Sequence, residues 1–198
     1  KPTVSGWKAV LLDNAITPIQ QYSYTSGKNA TDSAMIIDAM DILYTGKVDG
    51  FCIISSDSDF TRLALRLREA GMKVIGRGQR KTPAPFIAAC DKFVYIEILG
   101  QERTTKEIDR KEEESSEAPS IKEIDKKTVK VITSSITDLA DEDGWAFLGD
   151  VGNLILKKQP DFDPRNYGFK KLAPLIKSIR QLEIDERHPE KSNIRLIY

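Results

Sequence analysis

Apolar positions along the first hundred residues alternate between a helical and a strand-like period. Trp7, Val10 and Leu11 recur at helical intervals and predict a helix over 7–15. Ile19 to Tyr24 alternates and is rich in aromatic residues, as a strand does. Ala34, Ile37, Ala39, Met40 and Leu43 predict a helix over 32–43, with Gly46 as its stop. Gly50 to Ile54 is a short continuous apolar run, the pattern of a central parallel strand. Asp57 to Ala70 places Phe60, Leu63, Leu67 and Ala70 on one helical stripe, and Gly71 follows as a C-terminal cap. A strand at 73–76, a short helix at 84–89 and a strand at 92–96 complete the series. Strands separated by helices need crossover connections, so the predicted class here is α/β with a parallel sheet.

Residues 128–198 follow another plan. Helical spacing predicts helices over 128–139, 146–156 and 168–178, then strands over 179–186 and 194–198 joined by a turn at His188-Pro189-Glu190. Three helices closed by a hairpin make a winged-helix pattern, a nucleic-acid-binding or interaction module. Trp145, Phe147, Phe162, Tyr167 and Phe169 are its expected core. Between the halves, residues 101–127 hold no aromatic residue and few apolar ones. Such a stretch cannot bury enough surface to offset its ordering entropy, so it reads as a charged flexible linker with few contacts across it. The expected organisation is therefore 1–100, linker 101–127, and 128–198.

Charge narrows the partners. Lys plus Arg and Asp plus Glu both number 30, so net charge is zero, which excludes a general polybasic coat but leaves room for a local basic groove. Two cysteines, Cys52 and Cys90, and one histidine make neither a zinc set nor a disulfide framework, and a reducing cytoplasm is expected. No apolar run is long enough to cross a bilayer, and no signal peptide is visible.

The sharpest chemistry is Ser55-Ser56-Asp57-Ser58-Asp59-Phe60, between an apolar strand and a helix. In parallel sheets ligands gather beyond the carboxyl ends of the strands. Two aspartates spaced i, i+2 on that turn repel one another, and a divalent cation relieves the repulsion. Magnesium suits such a set because it takes oxygen ligands and keeps several waters. The same residues also satisfy a plain helix N-cap, Ser56 or Asp57 serving equally well, and both readings are open. Asp32 opens the preceding helix and has the same two readings; Asp38 lies about two turns further in. Asp41 and Asp13 read as solvated helix residues. Gly76-Arg77-Gly78-Gln79-Arg80-Lys81 follows the next strand, and its two glycines and three cations suit phosphate contacts or simply a solvated loop. In the last part the candidate cations are Lys157, Lys158, Arg165, Lys170 and Lys171.

Lys28-x-x-x-Asp32, Asp38, Ser56-Asp57-Ser58-Asp59-Phe60 and Ala70-Gly71-Met72-Lys73-Val74 together resemble the NYN family of PIN-like nucleases, over about residues 1–97. The resemblance implies a Rossmann-like three-layer α/β/α sandwich and RNA cleavage dependent on Mg2+ or Mn2+. It assigns Asp32, Asp57 and Asp59 to the active centre, with Asp38 a further metal-side acid. The family's opening strand, with an Asp and a nearby Asn, has no counterpart ahead of Trp7. Gly144-Trp145-Ala146, Leu148-Gly149-Asp150-Val151-Gly152, Pro160-Asp161-Phe162-Asp163, Tyr167-Gly168 and Lys171-Leu172 resemble the OST-HTH, or LOTUS, winged helices, which bind RNA or protein partners. NYN, acidic linker and LOTUS in that order is a bacterial arrangement. The joint implication is a cytoplasmic endoribonuclease with an RNA-binding winged helix. The alternative is a non-catalytic adaptor for RNA or protein built from the same two domains.

Overall fold

The structure is a computed structural model that describes residues 8–19, 21, 30–99, 124–185 and 193–196. Most of the strand expected over 19–24, nearly all of the linker, and the turn with His188 lie outside these residues. The chain divides into two compact units, Lys1–Lys47 and Val48–Tyr198.

The first unit holds α1 (Lys8–Asp13) and α2 (Ala30–Thr45). Helix α1 ends where Ala15 turns left-handed (φ 52°), so that the Ile16 N–H bonds the Leu11 carbonyl at 2.8 Å. Helix α2 ends at Gly46, whose φ of 64° costs a residue without Cβ little.

The second unit begins with a parallel sheet in the order β1 (Gly50–Ile54), β2 (Lys73–Gly78), β3 (Lys92–Tyr95). Helix α3 (Thr61–Glu69) carries the chain from β1 to β2, and α4 (Ala84–Ala88) from β2 to β3. Helix α3 buries Leu63, Ala64 and Leu67. Ala70 lies outside that stripe because it is the C-cap, its N–H already turned back on the Arg66 and Leu67 carbonyls. Paired residues of a parallel sheet share a face, so Ile53, Gly76 and Phe93 form one row against the buried Cys90.

The expected phosphate loop at 76–81 proves to be half strand, since β2 runs through Gly78. Packing explains both glycines. A Cβ on Gly76 would stand 2.5 Å from the Phe93 ring and 2.7 Å from Cys90 Sγ. One on Gly78 would collide with the Ser55 carbonyl.

Helices α5 (Lys126–Leu139), α6 (Leu148–Lys158) and α7 (Leu172–Lys177) and a second sheet, in the order β4 (Ala146–Phe147), β6 (Asn193–Leu196), β5 (Leu182–Asp185), make the winged helix. Two expected helices start late. Ala146 and Phe147 pair with Ile194 and Asn193 in the sheet, so α6 begins at Leu148. Pro164–Tyr167 is a 3-10 turn that ends at left-handed Gly168 (φ 84°), so α7 begins at Leu172. The core is chiefly aliphatic: Ile132, Ile136, Val151, Ile155, Leu175, Ile176 and Ile194, joined by Phe162. Phe147, expected inside, is 41% exposed. Strand alternation explains this, because its neighbour Ala146 takes the inward position. Tyr167 and Phe169 pack against the core only partly buried, and Trp145 lies half-buried under the Arg195 guanidinium.

The winged helix also meets β3. The Phe93 N–H donates to the Pro160 carbonyl at 2.7 Å, and the Tyr95 hydroxyl donates to Asp161 Oδ2 at 2.7 Å. An edge strand's outward N–H is thereby satisfied. The linker's composition did not announce this docking, because the contacts come from residues beyond it.

Candidate nucleic-acid and metal site

The carboxyl edge of the parallel sheet is fixed by a few backbone and hydroxyl contacts. The Ser55 N–H donates to the Arg77 carbonyl at 2.9 Å, and the Gln79 N–H donates to Ser56 Oγ at 2.8 Å. These bonds tie the turn after β1 to the end of β2. Within the turn, the Asp57 N–H donates to Ser55 Oγ at 3.1 Å, and Asp57 Oδ1 accepts the Asp59 N–H at 3.0 Å. Asp57 is thus the N-cap of the 3-10 turn Ser58–Phe60 that leads into α3. The cap uses one carboxylate oxygen. Among the described residues no hydrogen bond occupies Oδ2, and both Asp57 and Asp59 are exposed.

The other acids lie in the first unit. Asp32 is half-buried in the first turn of α2. Asp38, six residues on, stands about 9 Å further along the helix and on another side of it. The structure therefore does not align Asp38 with Asp32 on one helix face.

Cations at the sheet edge differ in freedom. Arg80 and Lys81 are exposed beyond β2. The Arg80 N–H donates to Glu97 Oε1 at 3.0 Å, which holds the Glu97 carboxyl below its usual range despite its exposure. Arg77 lies within β2, half-buried, with a buried Nε that has no partner among the described residues. Cys90 plays no part at this edge: burial pushes its thiol up to about 11, so it stays protonated and inert.

In the winged helix the same split recurs. Lys157, Lys170 and Lys171 are exposed. Lys158 bonds Asp138 at 2.7 Å and Ser134 at 3.0 Å. Arg165 grips Asp163 through Nε at 3.0 Å and Nη2 at 2.8 Å. Sequence reasoning offered Ser56 as an alternative N-cap, a role that Asp57 takes, and missed the bond from the Gln79 N–H to Ser56 Oγ that ties the acidic turn to β2.

Hard oxygen donors on an exposed turn fit a magnesium- or manganese-type ion, which needs only a few protein oxygens beside its waters. No helix among the described residues is long and apolar enough to cross a membrane.

A parallel α/β domain with carboxylates at its carboxyl edge, followed by a winged helix, defines a nuclease-like fold joined to a nucleic-acid-binding module. The comparisons give the families: the NYN domain model matches residues 1–97, and the OST-HTH/LOTUS domain model matches residues 119–194. The chain is an NYN-domain protein carrying an OST-HTH/LOTUS domain after it. Two solution NMR structures resemble it. An uncharacterized protein from Nitrosomonas europaea is 32% identical, with 44% of this chain and 88% of that one covered and a TM-score of 0.36. A protein from Chromobacterium violaceum is 35% identical, with 38% of this chain and 84% of that one covered and a TM-score of 0.29. No curated protein matches the chain.

Proposed function

We propose that the chain is a divalent-metal-dependent endoribonuclease of the bacterial cytoplasm, in which the winged helix holds RNA for the NYN domain. The observation that carries this reading is the exposed Asp57–Asp59 turn, stapled to β2 beside Arg80 and Lys81. Asp57 and Asp59 would hold Mg2+ or Mn2+, with Asp32 as a third carboxylate and Asp38 as an outlying acid. A bound ion there supplies Lewis-acid stabilisation of charge on phosphate oxygens and a more acidic water. The protein's own part is orientation. The Asp59 N–H holds the Asp57 carboxylate, and Ser55 Oγ holds the Asp57 backbone N–H, before any ligand arrives. Arg80 and Lys81 bind the neighbouring phosphates, Arg77 lends charge from within the sheet, and Lys157, Lys170 and Lys171 extend the track. Lys158 and Arg165 join it only by leaving their present partners.

The test is incubation of single-stranded and structured RNA with the protein in Mg2+, Mn2+ or chelator. Metal-dependent cleavage that Asp57→Asn removes supports the reading; cleavage unaffected by chelator sinks it. A second reading, an adaptor for a protein partner, is favoured by exposed Phe147, which lines an apolar groove of about 470 Å3 with Leu148, Leu156 and Leu172.

A further inference from the structure

The acidic turn is held from outside as well as from within. Bonds inside it, from the Asp57 N–H to Ser55 Oγ and from the Asp59 N–H to Asp57 Oδ1, give the turn its shape. The Gln79 N–H, donating to Ser56 Oγ at 2.8 Å, sets where that shape stands against β2. Gln79 opens a tight turn of its own. Its carbonyl accepts the Thr82 N–H at 2.9 Å and the Thr82 hydroxyl at 2.6 Å, and Thr82 is buried. A Cβ on Gly78 would meet Thr82 Oγ1 at 2.7 Å, so residues 79–82 sit tight on the end of β2 as one stiff piece.

Arg80 ties that piece outward. Its N–H donates to Glu97 Oε1 at 3.0 Å, and its guanidinium lies over the Tyr95 ring, 5.4 Å from the centroid. Tyr95 ends β3, and its hydroxyl donates to Asp161 Oδ2 of the winged helix at 2.7 Å. Burial, and after it the Asp161 carboxylate, raise the pKa of the Tyr95 phenol well above its ordinary value, so this donor keeps its proton.

Asp161 is a firm anchor. The Pro160 carbonyl before it accepts the Phe93 N–H at 2.7 Å, and its own carbonyl accepts Asn166 Nδ2 at 3.2 Å. Phe162 after it is buried in the winged-helix core. A continuous series of contacts therefore runs from that core through Asp161, Tyr95, Arg80 and Gln79 to Ser56, the neighbour of Asp57, all inside the second unit. Packed and hydrogen-bonded side chains of this kind can carry coupling between distant groups.

We propose that Tyr95 is a positioning residue for the acidic turn, and that through it the docked winged helix steadies the Asp57 carboxylate for its ion. The inference rests on the metal-dependent reading above and gives the winged helix a second task beside holding RNA.

The test is a double-mutant cycle on the full chain with two readouts, Mn2+ affinity by electron paramagnetic resonance and hydrogen exchange of the Gln79 amide by NMR. Tyr95→Phe removes the hydroxyl and keeps the ring under Arg80. It should weaken Mn2+ binding and speed Gln79 exchange, each about fivefold, the scale of one net hydrogen bond. Asp161→Ala should match it in both. Ser56→Ala severs the far end of the series, and Tyr95→Phe added to it should change Mn2+ affinity no further. If Tyr95→Phe lowers the thermal transition but leaves both readouts unmoved, Tyr95 only holds the domains together and the proposal is overturned. Additive losses of affinity in the double variant place the effect on another route and overturn it too. If the parent chain binds no Mn2+, the metal reading falls by itself. Gln79 exchange then decides alone: faster in Tyr95→Phe supports the steadying of the turn, and unchanged exchange overturns it.

Discussion

Asp57 and Asp163 perform the same local task in two halves of the molecule. Each caps a 3-10 turn, and each accepts the backbone N–H two residues ahead through one oxygen, from Asp59 at 3.0 Å and from Arg165 at 2.9 Å. Their surroundings part them. Asp163 is 5% exposed, and the Arg165 side chain takes up both of its oxygens. Asp57 stands exposed at the sheet edge with an oxygen to spare. The cap is thus a shared local device, and what the fold packs around the second oxygen decides between holding structure and holding a ligand.

The largest effect should come from breaking the open member of that pair. Asp57→Asn keeps the size and the capping oxygen but loses the charge. It should lower metal-dependent RNA cleavage at least about a hundredfold, the scale of removing one group that stabilises transition-state charge. The thermal transition should barely move. Unchanged cleavage, or a large loss of stability, would mean that Asp57 is a cap and nothing more.

Asp163→Ala should do the reverse. It removes charge-assisted hydrogen bonds and leaves Arg165 partly buried without its partner, costing about 2 kcal/mol in denaturant unfolding. Its pH dependence has a definite sign. Burial works against ionisation, but the Arg165 side chain and N–H outweigh it and hold the Asp163 carboxyl below its ordinary value. Asp125 is likewise held low: burial opposes ionisation, and the Thr128 N–H and hydroxyl, with Tyr167, outweigh it. A carboxyl with a lowered folded pKa stabilises fully above its unfolded value, near 4, and loses that stabilisation as pH falls through the folded one. Acid should therefore loosen the winged helix below about pH 4, and Asp163→Ala should flatten that decline.

Much of this was legible in the sequence, and the failures share a cause. Gly50 to Ile54 was readable as a strand because a continuous apolar run has few alternatives, and β1 spans the same residues. The acids at 57 and 59 were readable as edge residues because the strand ends at Ile54, three residues before the first of them. What local pattern could not show was the demand of a neighbour across space. Gly76 and Gly78 looked like the glycines of a phosphate-contacting or solvated loop, yet they are glycine because Phe93, Cys90 and Ser55 crowd them. Phe147 looked like core until its pairing with Asn193 turned it outward. Lys158 and Arg165 looked as free as Lys157, and only the fold brings Asp138 to the first.

Gly76→Ala tests that crowding directly. The new methyl would have to displace the Phe93 ring, so a loss of about 1–3 kcal/mol is expected from overpacking. A neutral result would show that the row Ile53, Gly76, Phe93 has slack. Charge at the sheet edge would then be the better reason for the G-x-G pattern.

The smallest effects should come from the cations, and they repeat the contrast between open and occupied groups. Each lysine that meets a phosphate of single-stranded RNA adds about 0.7 to the slope of log affinity against log salt. Lys81 is exposed, and no salt bridge to it appears among the described residues. Lys158 is spent on Asp138 and Ser134. Lys81→Gln should therefore lower the slope by about 0.7 and weaken binding uniformly across RNA sequences. Lys158→Gln should leave the slope where it is and shift only stability, by less than about 1 kcal/mol for a partly exposed pair. Equal slopes for both variants would mean that RNA pulls Lys158 from Asp138 on binding, and the occupied cations would then belong to the binding surface as well.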